Sequence, residues 1–551
     1  MAGMAARAVI SHADCSNRPL TVSLAASFDI TPAITTIAKS FNKQAITAAG
    51  QCVAVQVTPG EPAAVAAQID GQDSVKDLAP VDAWIPDSTD WVDEARSYAV
   101  GAEDVQPTGI TVARSPIMLV TSPLVVEQTN LFAGPASWNL LLPPGYGGPP
   151  FSMGLNVDIP DPTDSAVGLS TLVELTRELG TTEQGRAGFT KFVLTAQDTE
   201  EFDSASALAQ FMASTEVSRA VTEASEQAVV SYDRAYPRIP AAAVYPTGSS
   251  PAVGSPELDY PYVITSTNSA TAQAAMAFGR YLQTPYAQSV IRYDGFRSAD
   301  GVADTFPANS GLSAQPLQVA TPPSASEVAT NLVSWQKLGL GSRDLAILDD
   351  SAAMGTPTGV DGLTLLQMLT QTAARGLTLF PPTTSMSLWE APDSQSTAAP
   401  YRDLVPMGPL TAQYGLMTSR RAQIEEIDQT LTKASDNPLH LYDTILAAYQ
   451  QMTTTYAANY SNAVIVLTAG FDGPGDMSLT SLLSRLRGLY NPNRKIEIII
   501  LQFGTAGDYA ALDQIALATG GVAFRIQNPI EVGRIFVQAL AHRMCDQGCT
   551  P

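Results

Sequence analysis

The sequence predicts an α/β protein built on largely parallel sheets and divided into more than one body. Three observations predict this. Short, nearly all-apolar runs recur along the chain and alternate with segments of helical periodicity. A Pro- and Ser-rich stretch, Pro316–Ser326, interrupts that rhythm. A length of 551 residues also exceeds what one hydrophobic core organises, so two or three domains are expected.

Taken in order, Leu20–Ala26 reads as a strand running into Ser27-Phe28. Thr31-Pro32 then reads as a helix cap followed by Pro at the first helical position. Ile34, Ile37, Ala38 and Phe41 give that helix one apolar face. Cys52–Val57 alternates as a strand and Ala63–Ile69 is a helix. Val81–Ile85 is a strand ending in the polar turn Pro86-Asp87-Ser88-Thr89, and Pro116–Thr121 is a fourth. Pro149–Val157 leads through a turn-rich loop, Asp161–Ala166, into a helix over Val167–Glu178. Val229–Asp233 and Ala241–Tyr245 are expected to be extended, and Ala270–Leu282 helical.

Beyond the Pro-rich stretch, strands are expected at Leu345–Leu348, Ser385–Trp389, Ala463–Thr468 and Ile496–Gln502. Runs that apolar are normally buried on both faces, as in a doubly wound sheet. Helices are expected at Leu363–Ala374, Arg420–Thr432, Leu441–Tyr456, Leu479–Leu489, Tyr509–Ala518 and Ile530–Arg543.

Composition excludes several functions. With 53 acidic and 30 basic residues the net charge is −23, which rules out nucleic-acid binding through a basic surface and attraction to anionic lipid. No apolar run reaches the ~18 residues of a spanning helix. Residues 1–13 lack a hydrophobic segment of signal-peptide length, so an export signal or anchor is expected to lie outside this sequence. Abundant Ala, Thr, Ser and Pro with scarce Lys suits a secreted protein of a high-GC bacterium. The four cysteines form two separated pairs, Cys15 with Cys52 and Cys545 with Cys549. Disulfides in an oxidising compartment are the leading reading, with free thiols and a zinc site using His542 as the alternatives. Only three histidines occur, His12, His440 and His542, and no Gly-x-Ser-x-Gly elbow, phosphate loop or metalloprotease helix is present. The chain is therefore not expected to be an enzyme.

Several phrases in order carry a first resemblance: Ser23–Ile30, Ala83–Trp91, Ser115-Pro116, Asp161–Ser165, Glu226–Tyr232, Leu258–Tyr262 and Gly295–Arg297. Residues 15–315 resemble an actinobacterial-type extracellular solute-binding protein of the type II periplasmic class. The resemblance implies two α/β lobes with crossovers near 105–115 and 245–258, closing on a small ligand. Ligands of such sheets sit at the carboxyl ends of the strands, near helix N-termini. Ser27, Ser88, Thr89, Ser115 and Ser165 all follow expected strands or open helices. They are candidate binders of an oxyanion or a sugar, with helix capping as the rival role. Tyr232 and Tyr245 are candidate cleft aromatics, and Arg114 and Arg297 the candidate anion-facing charges, with structural ion pairing as the alternative.

A second resemblance begins at Leu345–Ala353, a buried strand opening into Asp349-Asp350-Ser351-Ala352-Ala353. With Leu441-Tyr442-Asp443, Ile465–Gly470 and Asp508–Gly521, it makes residues 341–545 similar to a von Willebrand factor A domain. That family implies a Mg²⁺ or Mn²⁺ held by an Asp, two Ser, a Thr and a second Asp. Here Asp349 and Ser351 match, while Ala353, Leu439 and Ala469 replace the rest. Two side chains are too few for the near-octahedral oxygen shell Mg²⁺ demands, so Asp349 and Ser351 are read as vestigial and no cofactor is expected. Asp350, Asp443 and Asp472 are the residues that could compensate. The loops Ala352–Val360 and Phe471–Met477 are candidate protein-binding surfaces.

The expected organisation is an N-terminal tail (1–14), a two-lobed solute-binding domain (15–315), a Pro-rich linker (316–340), a Rossmann-like von Willebrand A domain (341–545) and a C-terminal tail (546–551). The expected function is extracellular or cell-envelope capture of a small-molecule solute, the C-terminal domain meeting an envelope protein without metal. The alternative is an adhesion or interaction protein whose solute-binding half no longer binds a small ligand. Delivery to an ABC permease is a third reading, and the fused second domain weighs against it.

Overall fold

The protein is described from a computed structural model covering residues 19–544 except 70–79, 98–102, 130, 133–135, 149–155, 198–206, 214–219, 251–252, 307–310, 360–361, 392–400, 417–418, 437–438 and 471–474. The two terminal tails, Cys15, Cys545, Cys549, His12, Asp472 and parts of the loops at 352–360 and 471–477 lie outside the described residues. The chain forms two compact bodies, Met1–Val333 and Ser334–Pro551.

In the first body the strands are β1 (Leu20–Ala26), β2 (Thr47–Ala48), β3 (Gln51–Pro59), β4 (Ala83–Ile85), β5 (Gln106–Thr111), β6 (Ala113–Thr121), β7 (Asn156–Asp158), β8 (Ala220–Ser225), β9 (Ala242–Val244), β10 (Glu257–Leu258), β11 (Pro261–Ile264) and β12 (Arg297–Ser298). They make two sheets, one per lobe. Lobe 1 has the order β2-β3-β1-β4-β11-β5, with β3, β1 and β4 parallel. Lobe 2 is centred on β6, which pairs with β8, β9, β10 and β12, while β7 lies parallel to β8 beyond it. The chain crosses between lobes at Val112, at Asp259-Tyr260 and a third time between β11 and β12. The first two crossings are tied together, since Val112 N donates to Tyr260 O at 3.0 Å.

Local chemistry explains where the reading of the sequence fails. Val229–Asp233, expected to be extended, lies inside the helix Glu226–Ala235. Ser225 Oγ accepts from Ala228 N at 3.2 Å and Glu226 occupies the first turn, so the cap overrides the β-branched pair Val229-Val230. Thr31, read as a cap, is the first residue of the helix Thr31–Lys43, and its hydroxyl bonds Ser27 O at 2.8 Å. Residues 316–340, read as a linker, contain the helix Ala325–Gly339. Its start is a capping box: Ser324 Oγ accepts from Glu327 N at 3.3 Å, and Glu327 accepts from Ser324 N at 2.9 Å. Arg177 Nε meets the same Glu327 at 3.0 Å, binding this helix to Ala166–Leu179.

The second body is a sheet in the order β15-β14-β13-β16-β17-β18, with β13 (Ser342–Asp349), β14 (Ser385–Ala391), β15 (Arg402–Pro409), β16 (Ser461–Thr468), β17 (Ile496–Phe503) and β18 (Val522–Ile526). All neighbours are parallel except the edge pair β14/β15. Strand alternation divides its side chains between two cores. Leu345 and Ile347 enter one, against Tyr442, Ile445 and Tyr449; Ala346 and Leu348 enter the other, against Leu366, Leu369 and Ile535. Helices on both faces make this sheet doubly wound, the class expected from its all-apolar strands.

A buried ion pair holds lobe 2. Arg297, 2% exposed, sets Nε and Nη2 at 3.0 and 2.7 Å from the carboxylate of Glu226, itself 0% exposed. Its remaining donors reach Gln315 O at 3.1 Å and Ser313 O at 2.6 Å, and Tyr245 donates its hydroxyl to Glu226. Removing one partner leaves the other charge buried alone. Arg297→Ala is expected to destabilise the N-terminal body by about 3–5 kcal/mol in urea unfolding, and Arg297→Met with Glu226→Leu by clearly less. Equal losses in both variants would show that packing, not charge pairing, is responsible.

Candidate functional site

The parallel strands of both lobes end at one cleft. Ser27, Phe28 and Asp29 follow β1, Glu61 follows β3, and Asp87 follows β4. From lobe 2, Asp164 and Ser165 follow β7, while Glu223 and Ser225 end β8 and Gln227, Ser231, Tyr232 and Arg234 lie on the helix after it. The cavity between them measures about 610 Å³. That volume falls within the ~300–1,000 Å³ usual for small-molecule sites.

Of the six residues expected to bind ligand, Ser27, Ser165 and Tyr232 line this cleft. Ser27 Oγ donates to Asp29 Oδ1 at 2.7 Å, and Ser165 caps its helix by accepting from Gly168 N at 3.4 Å. Tyr232 stands 4.8 Å from the ring of Tyr236, another cleft residue. The other three are engaged elsewhere. Ser88 exchanges hydrogen bonds with Asp90, its Oγ 3.0 Å from Asp90 Oδ2 and 3.1 Å from Asp90 N. Thr89 gives its N–H and hydroxyl to the carboxylate of Asp259 at 2.8 and 2.5 Å, securing the second crossover. Ser115, 0% exposed, accepts from Gln227 N at 3.0 Å and so positions the helix that carries the lobe 2 wall. Arg114 and Arg297 are held in ion pairs with Glu257 and Glu226, and Tyr245 is held by Glu226.

Carboxylates that the sequence reading passed over dominate the lining. Asp29, Glu61, Asp87, Asp164, Glu223 and Asp294 face a single cation, Arg234, among the described residues. Arg234 is itself committed, donating to Tyr293 O at 2.7 Å. Burial raises Asp87 well above the usual aspartate range, with the charges of Asp29 and Glu61 adding to it. Burial likewise raises Asp29, against hydrogen bonds from Tyr260, Ser27 and Ile30 N. Glu223 is 2% exposed, neither carboxylate oxygen has a hydrogen-bond partner, and burial with the nearby Asp158 charge holds it well above the glutamate range. Hydroxyls and backbone N–H groups therefore share this lining with six acidic side chains and, among the described residues, no uncommitted cation.

In the C-terminal body both Asp349 oxygens are taken by the protein. Oδ1 accepts from Ser351 N at 2.9 Å; Oδ2 accepts from Thr468 Oγ1 at 2.7 Å and Ala469 N at 3.1 Å. Leu439 and Ala469 are 3% and 1% exposed and packed in the cores, and Ala353 packs against one of them. These residues do not fit a Mg²⁺ shell. Asp350 is pushed up to about 7 by burial and by the Glu390 charge, and Asp443 N donates to Asp476 at 3.0 Å. Among the described residues, one His/Asp set gathers its ligand atoms within 4.8 Å of one another: His440, Asp443 and Asp476. Asp476 also accepts from Tyr442 N at 2.8 Å, capping the helix Leu441–Thr454.

A family model described as bacterial extracellular solute-binding protein matches residues 20–297, both lobes included. The chain belongs to that family. Two uncharacterised proteins of Mycobacterium tuberculosis, from strains CDC 1551 and H37Rv, are 26% identical over 277 residues, covering 48% of this solute-binding family member and 37% of their own length. The sulfate-binding protein of M. tuberculosis H37Rv is 19% identical, covers 51% of this chain and 87% of its own, and superposes with a TM-score of 0.36. The ferric binding protein of Campylobacter jejuni is 11% identical over 57% of this chain and 98% of its own, at a TM-score of 0.41. A von Willebrand factor type A structure from Catenulispora acidiphila is 18% identical, covers 37% of this chain and 43% of its own, and gives a TM-score of 0.29. Among the described residues no helix is long and apolar enough to cross a membrane.

A carboxyl whose folded pKa lies above its unfolded one supports folding while protonated. That support is complete below the ordinary glutamate range and is lost as pH rises through the folded value. Glu223→Gln, a neutral isostere, should therefore melt with wild type in acid. Above pH ~4.3 the ligand-free variant should melt at increasingly higher temperature than wild type. Parallel melting curves across pH would show that Glu223 titrates like an exposed acid.

Proposed function

We propose that the protein captures a small solute between the lobes of its N-terminal body, outside the cell or in the cell envelope, without catalysing a reaction. The observation that carries this is the 610 Å³ cleft walled by the carboxyl ends of parallel strands from both lobes. Ligand would favour the closed arrangement by its additional contacts there. The C-terminal domain serves as a protein-interaction module that needs no metal, because the one retained acid, Asp349, is satisfied by Ser351, Thr468 and Ala469. The adhesion reading finds less support, since a cavity of this size with an unpartnered buried acid is costly to retain without a ligand.

A thermal-shift screen with small-angle scattering on the full chain tests the receptor reading. One solute should raise the melting temperature saturably and reduce the radius of gyration; at a hundred-fold excess over Kd the gain is about 2.7 kcal/mol. Mg²⁺, Mn²⁺ and EDTA should leave the C-terminal transition in place, and an EDTA-reversible shift by Mg²⁺ would overturn the metal-free assignment.

Cys52, at the start of β3, is not a free thiol. We infer an oxidised chain with Cys15–Cys52 and Cys545–Cys549 disulfides. Non-reducing peptide mapping should recover both linked pairs, and alkylation of all four cysteines without reductant would sink this assignment.

A further inference from the structure

We propose that the interlobe cleft takes an elongated organic cation with two or more ammonium groups, anchored in lobe 2 by the carboxylate of Glu223 and met in lobe 1 by Glu61 and Asp87. This rests on the receptor reading above and names its ligand class.

The first argument is charge. Six carboxylates line the cleft against one guanidinium, and that guanidinium is drawn aside to Tyr293 O and lies 6.0 Å from the centroid of the Tyr293 ring. Those of the six that stay ionised on opposing low-dielectric walls concentrate cations between them.

The second is Glu223 itself. A carboxyl group 2% exposed with no partner on either oxygen is rare, because burying it without a donor costs several kcal/mol. It sits in β8 opposite Leu119 of β6, where an apolar residue would serve the fold better. A donor arriving with the ligand removes the anomaly, and an ammonium group supplies both charge and up to three N–H bonds.

The third is shape. No three cleft carboxylates converge closely enough to enclose one metal ion; among the described residues only His440, Asp443 and Asp476 of the other body do so. The acids are instead spread over both walls of a cavity far larger than an ion. Between them stand exposed aromatic faces, Phe28 at 41% and Tyr236 at 46%. Such faces attract ammonium groups and cover the methylenes that join them.

Binding should ionise Glu223 and release a proton. The charge that acts on it is that of Asp158 on β7; Asp164, Arg234, Asp294 and the lobe 1 acids Asp29, Glu61 and Asp87 line the same cleft.

Calorimetric titration of the full chain with spermidine and putrescine tests the proposal. Sulfate, phosphate, glucose and ferric citrate are the comparators, in two buffers of different ionisation enthalpy. One-to-one saturable binding of spermidine or putrescine is expected, with proton release, weakened about tenfold or more in Glu223→Gln and losing its proton release there. Asp164→Asn, at an exposed position, should weaken binding less while leaving the proton release intact. Saturable binding of sulfate, phosphate, glucose or ferric citrate with neither amine bound overturns the ligand class and leaves the receptor reading standing. Multi-site amine uptake unchanged by Glu223→Gln is adsorption to the acidic surface and overturns the site. Silence from every solute, with no lobe closure, overturns the receptor reading and this proposal with it.

Discussion

The pairing of Arg297 with Glu226 is the interaction on which the rest of the N-terminal body depends. Glu226 opens the helix that carries Gln227, Ser231, Tyr232 and Arg234 to the cleft, and Arg297 comes from β12, late in the matched family region. One guanidinium thereby locks a cleft wall to the central strand β6 and to the segment at Ser313 and Gln315. A pair buried so deeply is weak evidence of stability but strong evidence of position, because displacing either member strands a charge. The wall of the cleft inherits that rigidity.

Two buried acids, Asp349 and Glu223, meet opposite fates. In the C-terminal domain Asp349 has its oxygens filled by a hydroxyl and two backbone N–H groups, and Leu439 and Ala469 are buried in the cores. In the cleft the opposite holds: Glu223 is buried with neither oxygen bonded. Both are acids of β-strands, yet one is consumed by its own fold and the other is left without a donor.

Much of the fold was legible because burial writes itself into the chain as apolar runs. The strands around Leu345, Ala463 and Ile496 are read correctly since nothing else makes so continuous an apolar segment. Val229-Val230 misleads because the deciding signals, the Ser225 cap and the Glu226 first turn, lie outside the apolar window. The helix at 325–339 was announced by Ser324-x-x-Glu327, masked by the prolines before it. The cleft was legible only in part. Asp29, Asp87 and Asp164 sit in the very phrases that drew attention to their neighbouring serines, but that they sum to an acidic wall is a tertiary fact, made when separate strand ends meet. Glu223 lay in Ala220–Ser225, a run too small-residued to announce itself as a strand.

Tyr260 joins two roles that are usually separate. It occupies the second crossover with φ +40, a backbone setting non-glycine residues seldom adopt, and its N–H and carbonyl bind Asp87 and Val112. Its hydroxyl donates to Asp29, on the cleft wall. The hinge pin is thus bolted to the jaw. Under the proposed capture, a swing of the lobes would turn about a residue tied to both Asp29 and Asp87, so the gape of the mouth would vary while the pattern of charge on this jaw would not. A guest too long or too short for that pattern would gain nothing from a wider or narrower bite.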